Sequence, residues 1–231
     1  MTTTLITGGN KGLGHETARR LRDIGHTVVI GARDPERGRA AAEELGVDWV
    51  QLDVTSDASV RGAADALAER YGTIDVLVNN AGISGGMTAI EDVDGPAIAS
   101  VLDTNTVSAV RMTHAFLPLL RRSEQPVIVN VASGLGSFAV RADDDRIEST
   151  LPTLAYSASK AALTMLTTVY AKFVPDVRIN VVDPGYTATE FNGNSGPQTV
   201  TEGTDAIVAM ATIGADGPTG EFHDRHGIVG W

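Results

Sequence analysis

The stretch "TTLITGGNKGLGHETARRLRDIG", Thr3 to Gly25, sets the reading of the whole chain. Its first five residues are β-branched or apolar and read as a buried strand. A turn rich in glycine follows, with Gly8, Gly12 and Gly14 in it. Beyond the turn Ala18, Leu21 and Ile24 recur at helical spacing, and Gly25 closes the helix. A strand that passes through glycines straight into a helix reads as the start of a βαβ unit.

The cycle repeats outward from there. "HTVVIGA" is a second strand, and "DPERGRAAAEELG" a helix with Asp34 as cap and Pro35 at its first position. "VDWVQLDV", "SDASVRGAADALAERYG" and "TIDVLVNNAG" read as strand, helix and strand. A longer helix is predicted over Asp103 to Arg122, followed by the strand "PVIVNVAS" and a helix over Thr153 to Phe173. The strand "DVRINVVDPG", a helix over Thr199 to Ile213 and a short strand near "GEFHD" complete the chain. The strands are continuous apolar runs, which implies a parallel sheet covered by helices on both faces. Right-handed crossovers make it an α/β fold, a doubly wound Rossmann-type sheet, in a single domain spanning residues 1–231. Ligands bind such sheets at the carboxyl ends of the strands. The unusual residues fall there: Gly8–Gly14, Arg33, Asp53, Asn79–Gly82, Ser133 and Pro184–Thr189.

Composition narrows the function. The 231 residues carry a formal net charge of −11, which argues against a nucleic-acid partner, since binding one needs a basic face. With no cysteine, disulfides and thiolate metal sites are excluded. The five histidines, His15, His26, His114, His223 and His226, lack metal-site spacing, and no metal is expected. The first residues enter a strand at once, without a signal-peptide pattern, and no apolar run approaches a membrane span. The expectation is a soluble, cytoplasmic protein without a membrane partner.

"TGGNKGLG" has the pattern T-G-x-x-x-G-x-G, distinct from G-x-G-x-x-G because Thr17 stands where the last glycine would fall. The physics is shared. Gly8, Gly12 and Gly14 allow a tight turn and close approach of Asn10, Lys11 and Leu13, and the helix N-terminus favours a pyrophosphate. At the end of the second strand, a cofactor with a free ribose 2′-hydroxyl would favour an acidic residue. Arg33 stands there instead, with Lys11 in the glycine turn, and two cations suit a 2′-phosphate. The expected cofactor is therefore NADPH/NADP+ rather than NADH, with Asp34 assigned to its own helix cap.

In these residues the chain resembles the short-chain dehydrogenases/reductases over nearly its whole length. "TGGNKGLG" is similar to that family's cofactor turn, and "LDV" with Asp53 and Val54 to the segment that meets the adenine. "NNAG" with Asn80, Ala81 and Gly82, Asn105 in "LDTNTVS", Ser133 in "NVAS", "YSASK" with Tyr156 and Lys160, and "PGYTAT" complete the set. Each motif is weak alone, but together, in order and each at a strand end, they are specific. The resemblance implies an oxidoreductase acting on a small carbonyl or alcohol substrate, and a dimer or tetramer. It implies that Asn105 orders a water near Lys160, and that Pro184, Gly185, Thr187 and Thr189 meet the nicotinamide. Two departures stand out. The connection from Ser133 to Tyr156 is longer than is usual, which predicts a polar insertion loop over residues 137–152. Asp183 also stands where the family often has another polar residue.

The chemistry follows from the residue types. Reducing a carbonyl needs a hydride on carbon and a proton on oxygen. Tyr156 and Lys160 are i and i+4 on one helical face. An ammonium about 5 Å away, at an effective dielectric of about 20, is worth roughly 3 kcal/mol, or about two pKa units. The lysine is thus expected to bring the phenol toward neutrality. Ser133 would donate to the oxygen where negative charge develops. Ile83, Met87, Phe138, Val140, Tyr186 and Phe191 are the candidate substrate wall. A regulator that senses NADP(H) on the same fold would need none of Ser133, Tyr156 and Lys160 together. An epimerase or dehydratase would need a longer substrate region after the last long strand.

Overall fold

The computed structural model describes residues 1–86 and 88–231. Met87, one of the candidate wall residues, lies outside them. Seven parallel strands and one antiparallel strand form a single sheet in the order β3-β2-β1-β4-β5-β6-β7-β8. They are β1 (Thr3–Thr7), β2 (Thr27–Ala32), β3 (Asp48–Gln51), β4 (Val76–Asn79), β5 (Val127–Val131), β6 (Arg178–Val182), β7 (Phe222–Asp224) and β8 (Gly227–Ile228). The helices are α1 (Gly12–Asp23), α2 (Pro35–Leu45), α3 (Asp57–Tyr71), α4 (Gly95–Leu102) and α5 (Ser108–Leu120). They continue with α6 (Phe138–Arg141), α7 (Ile147–Thr150), α8 (Leu154–Phe173), α9 (Val200–Gly203) and α10 (Asp205–Ala211). Among the described residues no helix is long and apolar enough to cross a membrane.

Alternate residues of each strand serve opposite faces. Ile6, Ile30, Val78 and Val129 pack with Ala18 and Leu21 of α1, Leu45 of α2 and Ile207 of α10. Leu5, Val29, Leu77 and Ile128 pack with Val60 and Leu67 of α3 and Phe116 of α5. Both faces being apolar accounts for the unbroken hydrophobic runs, and each fully buried Leu or Ile contributes roughly 1.5–3 kcal/mol. Local chemistry sets the helix ends. Asp34 accepts from the Glu36 and Arg37 N–H groups at 2.9 and 3.1 Å, and Gly46 stops α2 in the left-handed region at φ 63°. β1 lies between β2 and β4, so the winding of the sheet reverses beside it, and the crevice opens there.

Four differences from the sequence reading have physical causes. The helix expected from Asp103 starts at Gly95, capped by Asp94, and runs through a π turn at Asp103–Val107. The π turn breaks the 3.6-residue spacing, so α4 and α5 do not share one apolar stripe. The helix expected over Thr199 to Ile213 is broken at the fully buried Thr204, whose hydroxyl turns back to the Thr201 carbonyl. A terminal hairpin adds β8, its turn held by Asp224 accepting from the His226 and Gly227 N–H groups. The connection between β5 and α8 contains two short helices. Arg141 ties them together by donating to the Glu148 and Leu151 carbonyls at 2.6 and 2.9 Å.

Candidate active site

The glycine turn is a cradle that side chains would fill. A Cβ on Gly14 would lie 2.5 Å from Asn80 Nδ2 and 2.6 Å from the Gly8 carbonyl oxygen, and Gly8 and Gly12 have positive φ. Asn80 fixes the turn by donating to the Thr7 and Gly8 carbonyls at 2.8 and 3.3 Å. The Thr7 hydroxyl accepts from the Asn80 and Ala81 N–H groups, each at 2.9 Å. The ends of β1 and β4 are thereby locked to each other. Helix α1 begins at Gly12 with no side-chain cap on Lys11 and no acidic residue in its first turn. Its first N–H groups therefore face the crevice free to meet an anion, which is what a pyrophosphate requires.

The other expected cofactor residues follow the ends of neighbouring strands. Arg33 is exposed at the tip of β2. Asp53 accepts from the Thr55 N–H and hydroxyl at 3.0 and 2.7 Å, which holds its carboxyl below the usual range. Val54 is buried in the core beside it. Lys11 reaches across to Glu190 at 3.2 Å, an exposed pair that sequence reasoning missed. Across the crevice Thr189 is 3.8 Å from where a Gly12 Cβ would be. Gly185, at φ 67°, is packed against the Gln198 side chain. Thr187 is turned inward, donating to the Pro184 carbonyl at 2.9 Å.

At the end of β5 lies Ser133, and α8 brings Tyr156 and Lys160 beside it. Lys160 is 4% exposed, donates to the Val131 carbonyl at 2.7 Å and lies 5.5 Å from the centre of the Tyr156 ring. Gly136 lets this wall close, because a Cβ there would meet the Lys160 backbone at 2.6 Å. Asn105, in the π turn, accepts from the Ile83 N–H at 2.8 Å and donates to the Ile83 carbonyl at 2.9 Å. It also donates to the Ser159 hydroxyl at 3.0 Å. Its Oδ1 and the Lys160 Nζ flank Gly82, at 3.2 and 3.7 Å from a Cβ position there.

The electrostatics correct one expectation. The Tyr156 phenol is shifted up, away from neutrality. Burial pushes the phenol up, and the negative charge of Asp183 adds to this, while Ser133 favours the ionised form. Burial also pushes Lys160 down, to about 8, against the opposing pull of Asp183. The simple two-charge argument omitted desolvation, the largest effect on each of the two groups. Asp183 itself, 4% exposed, was visible in "VVDPG" with nothing in the sequence to place it beside this pair.

The candidate wall divides. Phe191 packs on Tyr156 with ring centres 5.7 Å apart, and the Tyr186 hydroxyl donates to Ser195 at 2.8 Å. Val140 instead packs against the core formed by Leu163 and Phe222. Ile83 and Phe138 are 39% and 79% exposed. Ser84, Val93, Leu154 and Tyr156 line a small pocket that the sequence did not suggest.

Comparison with known proteins finds relatives of the same fold. The model of the short chain dehydrogenase family matches residues 2–199. (+)-Neomenthol dehydrogenase of Capsicum annuum is 32% identical, over 97% of the chain and 96% of that protein. That alignment spans 301 positions against 231 residues here, so this relative carries segments that the chain lacks. The structure of salutaridine reductase from Papaver somniferum is 29% identical, with a TM-score of 0.84 over 97% of the chain and 100% of the other. NADPH-bound carbonyl reductase from chicken fatty liver is 26% identical, with a TM-score of 0.89 over 100% and 99%.

Proposed function

Because the chain belongs to the short-chain dehydrogenase family and is an oxidoreductase, we propose that it reduces a ketone or aldehyde to the alcohol with NADPH, reversibly. The observation that carries this reading is the meeting of Ser133, Tyr156 and Lys160 at the carboxyl end of β5, beside the glycine cradle. NADPH, when bound, supplies the hydride. The glycine turn, from Gly8 to Gly14, would receive its pyrophosphate, and Lys11 and Arg33 its 2′-phosphate. The NADPH bound by the chicken reductase supports the same choice.

The protein's own groups handle the oxygen. Tyr156 donates its phenolic proton to the carbonyl oxygen, and the Ser133 hydroxyl donates a hydrogen bond to the same atom. A phenol pushed up by burial stays protonated at neutral pH, the form an acid in reduction needs. Lys160 stands behind the phenol as the positive charge that offsets a tyrosinate as the proton leaves. Ile83, Tyr186 and Phe191 favour an apolar substrate. In this reading one domain carries both cofactor and catalytic groups, and residues 137–152 are an insertion at the cleft. A panel of carbonyl compounds, read by NADPH absorbance with NADH in parallel, tests it. Turnover of at least one apolar ketone or aldehyde, with NADPH preferred, is the expected result. Cofactor binding without turnover of any compound would count for a non-catalytic protein.

A further inference from the structure

In the proposed binding mode Lys11 and Arg33 share the 2′-phosphate, yet the fold treats these two cations differently. Arg33 makes no ion pair among the described residues, its neighbour Asp34 pairing with Arg37 instead at 4.0 Å. Lys11 is engaged. Its Nζ donates to Glu190 Oε2 at 3.2 Å, and among the described residues each is the other's only side-chain partner. The pair spans the crevice, from the glycine turn after β1 to the turn Glu190–Asn192 after β6. Hydrogen bonds fix that second turn. The Asn192 amide donates to the Thr187 carbonyl at 2.8 Å and accepts from the Thr189 N–H at 3.2 Å. The Asn194 N–H donates to the Thr189 carbonyl at 2.7 Å. Thr189 faces Gly12, and Phe191 packs on Tyr156. Glu190 stands between these two in the chain, so its backbone is held over the crevice while its side chain, 72% exposed, reaches Lys11.

We propose that Glu190 is a specificity residue for the cofactor, which holds Lys11 in the free protein and competes with the 2′-phosphate for that ammonium. The inference rests on the reductase reading above, with NADPH as the cofactor, and adds a residue that this reading does not use. Carboxylates and phosphates both accept charge-assisted hydrogen bonds, and a lysine ammonium is a point charge that serves either. A 2′-phosphate that takes Lys11 must displace Glu190 or lie beside it, and in both cases it meets a negative charge. A 2′-hydroxyl makes no such demand and leaves the pair as it stands. Glu190 therefore opposes the phosphorylated cofactor alone, and it narrows the preference that Lys11 and Arg33 create. Because both side chains are exposed and screened by solvent, the effect is a factor of about 2–5 in affinity.

Isothermal titration calorimetry tests this without turnover, using NADPH, NADH and adenosine 2′,5′-bisphosphate, which carries the 2′-phosphate without the nicotinamide. In Glu190→Gln the affinity for NADPH and for the bisphosphate should rise about 2- to 5-fold, and that for NADH should hold. In a Lys11→Ala background the same substitution should lose this gain, because the contested ammonium is absent. Glu124→Gln removes an exposed charge at the opposite rim of the sheet, just before β5, and should change no affinity. Unchanged NADPH affinity in Glu190→Gln, an equal rise for NADH, or the same rise in the Lys11→Ala background overturns the proposal. A rise in Glu124→Gln as large as that in Glu190→Gln overturns it too, since net charge would then account for both. A wild type that binds NADH as tightly as NADPH, with Lys11→Ala changing neither, would instead overturn the choice of NADPH on which the proposal rests.

Discussion

At Tyr156 burial and the Asp183 charge push the phenol up, the Ser133 hydrogen bond opposes them, and burial is the largest of the three. In the proposed reaction the phenol is the acid, so Tyr156→Phe should lower kcat by about 10²–10⁴-fold. NADPH affinity, read by fluorescence titration, should stay nearly unchanged, and a variant keeping most of its turnover would remove Tyr156 from the acid role. Lys160 gives a stability signature of its own. Its folded value of about 8 lies below the ordinary 10.5, so between these values the unfolded chain binds more protons. Stability should therefore rise as pH climbs from about 8 to about 10, by up to about 3 kcal/mol. Below 8 both states are protonated and the penalty is constant. Above 10 the raised Tyr156 acts in the opposite sense, because the unfolded phenol ionises first. Urea midpoints across this window should climb for the wild type relative to Lys160→Met. At the cofactor end, replacing Lys11 and Arg33 together by Ala should weaken NADPH by about 10²-fold or more while sparing NADH. Equal losses for both cofactors would show that neither residue reads the phosphate. The Lys11–Glu190 pair is exposed, so its loss should barely change stability.

Among the elements, the connection between β5 and α8 has the most distinct role. Deleting Arg141 to Thr150 removes α7 and the Arg141 clasp. The sheet and NADPH binding should survive, with a stability loss of about 1–3 kcal/mol. Substrate preference should change, because small displacements at the Ser133–Tyr156 cleft are costly. The measurement is kcat/KM on two substrates of different size, where a common factor for both would mean the segment does not select. This element also marks how far the sequence could be read. The alternation of strands and helices was legible because apolar runs and caps such as Asp34 and Gly46 act locally. The candidate site residues Ser133, Tyr156 and Lys160 were legible as motifs at strand and helix ends. The start of α4 was hidden by the π turn that breaks the spacing. Asp183 and Glu148, distant in sequence, both approach Gly134, and no local pattern records it.

For the molecule as a whole, the central strands β1, β4, β5 and β6 are almost wholly buried, while β3 and the β7–β8 hairpin form the edges. Opening the centre requires unfolding both helical layers, so amides there should exchange with solvent only at the rate of global unfolding. The β7–β8 hairpin should exchange well before them. Native-state hydrogen exchange followed by mass spectrometry would separate the two, and uniform protection would mean that the edge and the centre open as one unit. The formal charge of −11 means that an anionic cofactor meets a protein of its own sign. In the proposed binding mode its attraction comes from the α1 N-terminus and the cations Lys11 and Arg33.

The π turn at Asp103–Val107 bears on how this corner of the fold is inherited. Such a turn is an α-helix carrying one residue more than its winding needs, and the surplus is absorbed locally. Removing one residue lets the helix close into regular α form while α4 and α5 keep the faces they already bury. The residue that the surplus displays is Asn105, bound to Ile83 and Ser159. Its placement can thus be acquired or surrendered by a single in-frame codon, leaving the rest of the fold as it was.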